Sequence, residues 1–345
     1  MPDDPHHTRL KAVLRSRYAL SHLHLERLPS GQNTKNYRAR CPGRDLFIKV
    51  YPIDSDIRAQ TEAIACARLA GEHGVPTARV LESSDGEVLV HEGATTVSVW
   101  EWVDGHTQSR GFTDTQLVTA GQALGHIHTV FARHPRSRTA SPWTREWFAP
   151  DLDGIRGRVD GLLQVIGERV QQDEFDVHAQ VALAERRTML AEVPRLLAGV
   201  PTDVTTQVLH GDYTAPNLLF DGDELAAVID FLPPVPYMIA FELGRIAFDP
   251  RTVALDEQWI DSAAALIAAY VEANPRVARR DVLACGRVIL IQMLTSLYRV
   301  EQHYRGTGLL QDDLDRFWRL RHRTARRLLE NLEAVESMLD DIAPR

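Results

Sequence analysis

Asp212, Asn217 and Asp230 are the residues of this chain best equipped by type and spacing to do chemistry, and all three fall in LHGDYTAPNLLFDGDELAAVIDF, residues 209–231. An amide oxygen and a carboxylate are hard donors, suited to a magnesium ion that stays partly bound to phosphates and water. A further carboxylate is then free to take a proton from a hydroxyl. The stretch also indicates how the three are held. Residues 217–220 and 225–229 are apolar runs separated by Asp221, Gly222, Asp223 and Glu224, and an Asp-Gly pair between such runs marks a tight turn. Strands of that length return Asn217 and Asp230 to one end of a hairpin. Pro216 interrupts the interval between Asp212 and Asn217, which places Asp212 on a loop rather than a helix.

Elements upstream supply further candidates. The run LFIKVY, residues 46–51, reads as a buried strand with Lys49 inside it. An ammonium in such a strand needs a partner, and a phosphate provides one. Residues 54–72 read as a helix with Ile57, Ile64, Ala67 and Leu69 among its apolar positions, Gly71 and Gly74 near its end, and Glu62 on it. Ser30, Gly31 and Asn33 precede a strand expected over 36–41, and small, turn-forming residues let backbone amides approach a phosphate. This stretch has neither the GxGxxG nor the GxxxxGK[ST] spacing. Residues 97–103, VSVWEWV, form another strand that runs into Asp104 and Gly105.

Helical spacing dominates thereafter. Residues 113–131 carry Leu117, Ala120, Leu124, Ile127 and Phe131 on one face, with Thr113 as cap before Gln116. A Pro-, Ser- and Arg-rich connection over 133–150 contains Trp143, Trp147 and Phe148, and helices are expected over 151–172 and 176–198. The basic run over 316–329 reads as an amphipathic helix with its cations in water. The alternative for that run is a docking surface for an acidic protein partner.

Composition bounds the setting. A chain of 345 residues, 44% hydrophobic, with a mean hydropathy of -0.23, can bury the cores of a small and a large lobe. The net charge of -8 argues against general nucleic-acid binding. The N-terminal stretch lacks the long apolar run of a signal peptide or membrane span. Cys41, Cys66 and Cys285 are the three cysteines, with no CxxC pair, which favours a reducing, cytoplasmic setting and disfavours structural zinc.

Taken together, His210, Gly211, Asp212, Asn217, Ile229, Asp230 and Phe231 resemble the HGDxxxxN and ID-aromatic motifs of the aminoglycoside phosphotransferase and choline kinase-like family, within the protein-kinase-like superfamily. The resemblance spans residues 25–250. It implies an α+β, two-lobe fold, with an N-terminal nucleotide-binding lobe over 1–103 and a mostly helical catalytic and substrate lobe over 104–345. It also implies an ATP- and Mg2+-dependent kinase. In that reading Asp212 is the base, Asn217 and Asp230 hold the metal, and Lys49, paired with Glu62, orients the phosphates. Ser30, Gly31 and Asn33 contact phosphate, the carbonyl of Glu101 and the amide of Val103 read adenine, and Trp100 backs the pocket. One departure stands out: where the family has an Asp-Leu pair, this chain has Glu242 and Leu243 behind the stiff Pro233, Pro234 and Pro236. Glu242 is read as a loop-bracing acid.

The acceptor expected from the resemblance is the hydroxyl of a small metabolite or antibiotic, aminoglycoside-like and cationic. The alternatives are a Ser/Thr of a precursor peptide in ribosomal-peptide biosynthesis and a non-catalytic pseudokinase scaffold. A polycationic acceptor requires carboxylates clustered beside Asp212. A peptide requires an open apolar groove, with Trp143, Trp147 or the 233–237 loop at its border.

Overall fold

The computed structural model describes residues 5–29, 34–141, 143–305 and 311–345. By internal contacts the chain forms two compact units, Met1–His106 with Asn217–Pro234, and Thr107–Pro216 with Val235–Arg345. A boundary at residue 103 assigns the hairpin after Asn217 to the second lobe, whereas its contacts place it in the first unit.

The first unit is built on an antiparallel sheet. Its strands are β1 (His24–Arg27), β2 (Lys35–Cys41), β3 (Arg44–Tyr51), β4 (Val80–Leu81), β5 (Val90–Glu92) and β6 (Thr95–Glu101). They are ordered β1-β2-β3-β6-β4, with β5 also on β6. Strand alternation sends successive side chains of β3 to opposite faces. Leu46 and Ile48 are wholly buried in a core that takes Leu10, Val13 and Leu14 of helix α1 (Pro5–Tyr18). Tyr51 instead joins Val80, Leu89 and Ile64, the last from helix α2 (Ile57–Glu72). Helix α2 begins three residues later than its apolar spacing predicts, because Asp56 caps it by accepting from the amide of Ala59 at 3.0 Å.

The hairpin of this unit pairs β8 (Leu218–Asp221) with β9 (Glu224–Val228). Gly222 takes φ +60 at the turn, the left-handed region that an Asp-Gly turn asks of glycine. The hairpin is fastened on both sides. Phe220 and His106 exchange main-chain bonds of 2.8 and 3.0 Å, and the amide of Val228 donates to Pro76 O at 2.8 Å.

The second unit is mostly helical. Before the loop over 209–216 come α3 (Asp114–Phe131), α4 (Thr144–Phe148), α5 (Leu152–Gly167), α6 (Glu174–Met189), α7 (Val193–Ala198) and the short strand β7 (Thr206–Val208). After the hairpin come β10 (Pro236–Met238), which pairs with β7, and α8 (Ile239–Ala247), α9 (Pro250–Val253) and α10 (Trp259–Ala273). The chain closes with α11 (Arg279–Thr295), α12 (Tyr298–Arg305), α13 (Gln311–Glu330) and α14 (Leu332–Ile342). Helix α3 has the full capping box, with Thr113 accepting from the Gln116 amide and the Gln116 side chain from the Thr113 amide.

Two glycine contacts set the helix spacing. A Cβ on Gly121 of α3 would meet the Leu266 carbonyl of α10 at 2.2 Å, and one on Gly244 of α8 would meet the Cys285 carbonyl of α11 at 2.4 Å. The stretch Arg279–Tyr304 is long and apolar enough to cross a bilayer, with mean hydropathy 1.3 over its best window, but 67% of that window is buried inside the fold. Its apolar residues therefore serve as the core of this unit, packing on α7, α8, α13 and α14.

Candidate active site

In the first unit the hairpin returns its ends together as its sequence predicts. The amide of Ile229 donates to Asn217 O at 3.0 Å, so Asp230 follows directly on the residue tied to Asn217. Asp230 has φ +65, a left-handed conformation that Asp adopts more readily than most residues. This turn of the backbone accompanies a direct ion pair between Asp230 Oδ1 and Lys49 Nζ. Burial works against the Lys49 ammonium, but Asp230 and Tyr51 outweigh it and raise its pKa. The Tyr51 ring lies 5.6 Å from Lys49 Nζ, and the Tyr51 hydroxyl is held by Ser98 Oγ at 3.1 Å. One carboxylate and one nearby amide, in a unit that also presents an ammonium, form a donor set that fits magnesium and phosphate oxygens.

The other residues expected around the nucleotide divide. The Lys49–Glu62 pair is not formed. Lys49 is taken by Asp230, and Glu62, one turn from Arg58 on α2, accepts from its Nε at 3.3 Å. Glu101 ends β6, where its amide donates to Arg79 O at 2.8 Å, and Val103 lies half-buried in the irregular chain beyond. Trp100 packs in the core with Tyr51 and Ile64, with Nε1 2.8 Å from Ser98 Oγ. Ser30, Gly31 and Asn33 lie outside the described residues.

In the second unit, Asp212 follows β7 on a loop whose main chain is braced from behind. Glu242, on the first turn of α8 and 1% exposed, accepts from the amide of His210 at 3.0 Å and from the amide of Gly211 at 2.6 Å. His128 of α3 holds the same carboxylate through Nε2 at 3.0 Å, and its Nδ1 meets the Tyr270 hydroxyl at 2.8 Å. Burial raises the pKa of Glu242. The hydrogen bond and charge of His128, with His210 and the Gly211 amide, outweigh that and leave it below the ordinary carboxylate value. The longer side chain at 242 thus keeps the bracing role anticipated for it. Tyr213, wholly buried, donates to Ala120 O at 2.8 Å and fixes the far side of the loop.

The surroundings of Asp212 in this unit differ from expectation. Arg245, one turn beyond Glu242 on α8, places Nη2 2.6 Å from Asp212 Oδ1. Arg251 and Arg299 both lie over the Phe317 ring, at 4.6 and 4.3 Å. Arg321 donates to Gln292 O at 2.9 Å and Ser296 Oγ at 3.3 Å. The cations of α13 do not all face water, because arginines at 316, 319, 321, 323, 326 and 327 are spread too widely for one face of a helix. These are guanidinium groups where a polycationic acceptor calls for carboxylates. Sequence spacing could have flagged Arg245, three residues from Glu242 on a strongly amphipathic helix. Arg299 carried no such signal. A groove of about 590 Å³ in this unit is lined by Trp147, Pro150, Ile155, Arg158, Gln292 and Ser296 among others. Trp143, in contrast, is largely exposed.

Comparison with known proteins fits this arrangement. Residues 24–281 match the model of the phosphotransferase enzyme family. The chain belongs to this family. Among curated relatives of the phosphotransferase, a homoserine kinase from Methylocella silvestris is 34% identical over 162 residues, 45% of this chain and 42% of the relative. A homoserine kinase from Bradyrhizobium diazoefficiens is 24% identical over 50% of this chain and 47% of its own. The chain thus spans about half the length of the curated relatives it matches. Its fold is similar to that of a spectinomycin phosphotransferase solved with ADP and spectinomycin, with TM-score 0.65 and 14% identity over 94% of this chain and 98% of the other. It is similar, too, to an aminoglycoside phosphotransferase from Alicyclobacillus acidocaldarius, with TM-score 0.62 and 18% identity over 98% of each.

Proposed function

We propose that this phosphotransferase moves the γ-phosphoryl group of ATP to the hydroxyl of a small metabolite. The observation that supports the reading is the Lys49–Asp230 pair at the hairpin whose other end is Asn217, a cation, a carboxylate and an amide of the types that phosphate and magnesium need. Asn217 and Asp230 would hold Mg2+, which when bound offsets the charge of the phosphates. Lys49, which pairs with Asp230 here, would contact the α and β phosphates. Asp212 would orient the acceptor hydroxyl and take its proton as the oxygen bonds to the γ-phosphorus and ADP departs. Glu242 keeps the loop from shifting, so that most of the rate comes from position and charge.

The names of the curated relatives and of the solved antibiotic kinases support a small hydroxyl acceptor. The test is intact-mass detection of an added phosphate, with ATP and magnesium, across a panel of hydroxy amino acids including L-homoserine, amino alcohols, aminoglycosides and serine-containing peptides. Transfer to a metabolite with ADP released in step is the expected result. Absence of transfer to every member, with no ATP binding, would leave the chain a scaffold.

A further inference from the structure

Charge around Asp212 in the second unit is uneven for a chain of net charge -8. Arg245, Arg251, Arg299 and Arg321 are grouped there, with Asp212 and Asp249 as carboxylate partners: Arg245 on Asp212 at 2.6 Å and Arg251 on Asp249 at 3.3 Å. That leaves Arg299 and Arg321 without a carboxylate. Arg321 satisfies itself on a main-chain carbonyl and a hydroxyl at the α11–α12 junction. Arg299 does not. It is half-buried, and among the described residues its guanidinium makes a ring contact with Phe317 but no hydrogen bond or ion pair. Arg251 lies over the same ring.

A half-buried guanidinium without an anion is costly, and a second cation on the same aromatic ring adds repulsion. A cation–π contact returns part of that cost, but it satisfies none of the five N–H donors of the fork. Burial, then Arg251 and Arg245, pull the Arg299 pKa down to about 10, against a smaller opposite pull from Tyr298 and Asp212. Like charges kept together beside a catalytic carboxylate call for a group of opposite sign from outside the chain. The planar fork of arginine matches carboxylate and phosphate oxygens in pairs.

We infer that the acceptor carries an oxyanion group, a carboxylate or a phosphate, which docks on Arg299 beside Arg245 and Arg251 while its hydroxyl faces Asp212. This rests on the reading of the chain as a hydroxyl kinase and narrows its substrate class. The acceptor is then a hydroxy acid, a hydroxy amino acid or a phosphorylated alcohol, not a polycation. A serine in an acidic peptide presents the same chemistry from a second source.

The full chain is tested with ATP and magnesium on pairs that differ in the anion alone, such as L-homoserine against 3-amino-1-propanol, with an aminoglycoside and an acidic serine-containing peptide as further arms. The expected result is a kcat/KM at least about 10-fold higher for the anionic member. In Arg299→Gln that advantage should vanish through KM, with turnover of the uncharged member unchanged, and Arg299→Lys should restore part of it. Preference for the small acid over the peptide, or the reverse, names the source. Equal use of both members of each pair, or equal loss of both in Arg299→Gln, overturns the inference while leaving the kinase reading intact. Should wild type phosphorylate nothing in the panel, equilibrium dialysis of the same anionic probes decides. Binding that Arg299→Gln weakens keeps the anion site without the kinase, and binding that is absent or indifferent to residue 299 ends it.

Discussion

At the scale of single residues, two carboxylates in one unit have opposite duties. Asp212, partly exposed and paired with Arg245, would accept the acceptor proton in the proposed reaction, while Glu242 is sealed in and holds the backbone of the loop. Asp212→Asn should lower turnover roughly 10²- to 10⁴-fold with ATP binding retained, and a purified variant of near-normal rate would take the proton transfer away from this residue. Glu242 makes a pH prediction. Its folded pKa lies below the ordinary value of 4.5, so its contribution to stability is complete above about pH 4.5 and is lost as pH falls through the depressed pKa. Glu242→Gln puts an amide donor against amide donors, at about 1–3 kcal/mol for a buried group left unsatisfied. Denaturation curves should show a gap between wild type and variant that is full at pH 7 and narrows below pH 4.5; a gap independent of pH would mean that the charge is not what braces the loop.

At the scale of elements, α8 is the part that links the loop brace to Asp212, because Glu242 and Arg245 lie one turn apart with Gly244 between them against the Cys285 carbonyl. The α3–α10 contact is equally tight at Gly121, two turns before His128. Gly121→Ala should therefore cost about 1–3 kcal/mol, as overpacking does. Gly157→Ala on α5, where an added Cβ meets nothing within 4 Å, should stabilise by roughly 0.5–1 kcal/mol. Urea melts of the two variants check the pair, and equal shifts would show that the helices adjust freely.

Elements of this kind were legible where local chemistry decides them. The Thr113–Gln116 box, the β3 alternation and the Asp-Gly hairpin follow from neighbours a few residues away. What escaped the sequence is tertiary. Lys49 pairs with Asp230 across 181 positions of chain, Arg321 finds its acceptors on another helix, and the Arg299–Phe317–Arg251 stack unites three elements with no common period. Glu242 was readable as a brace from the family pattern, but the distance it reaches was not.

At the scale of the whole molecule, a ligand that binds only the folded chain should stabilise all of it, by about 2.7 kcal/mol at a concentration of 100 Kd. ATP with magnesium should raise the melting temperature, and either alone should do less. Asp230→Asn preserves the side-chain shape and removes the charge, so it should forfeit the magnesium-dependent part of that rise. Full protection in the variant would place the metal elsewhere. Lysines are scarce here, Lys11, Lys35 and Lys49 being the three among 39 basic residues. An amine-directed ATP analogue that labels residue 49 can thus be mapped with little ambiguity.

The interleaving of the units also bears on how the protein is made. Asn217–Pro234 belongs with Met1–His106, yet residues 107–216 of the other unit are synthesised between them. The ribosome therefore releases the sheet and its lysine long before the carboxylate that pairs with it. Contacts so distant in sequence raise the contact order and slow folding, and an N-terminal unit that cannot finish alone departs from the domain-by-domain order that nascent chains usually follow. Until residue 230 emerges, Lys49 lacks the carboxylate it pairs with, and the backbone groups of Pro76 and His106 that the hairpin fastens to lack their partners.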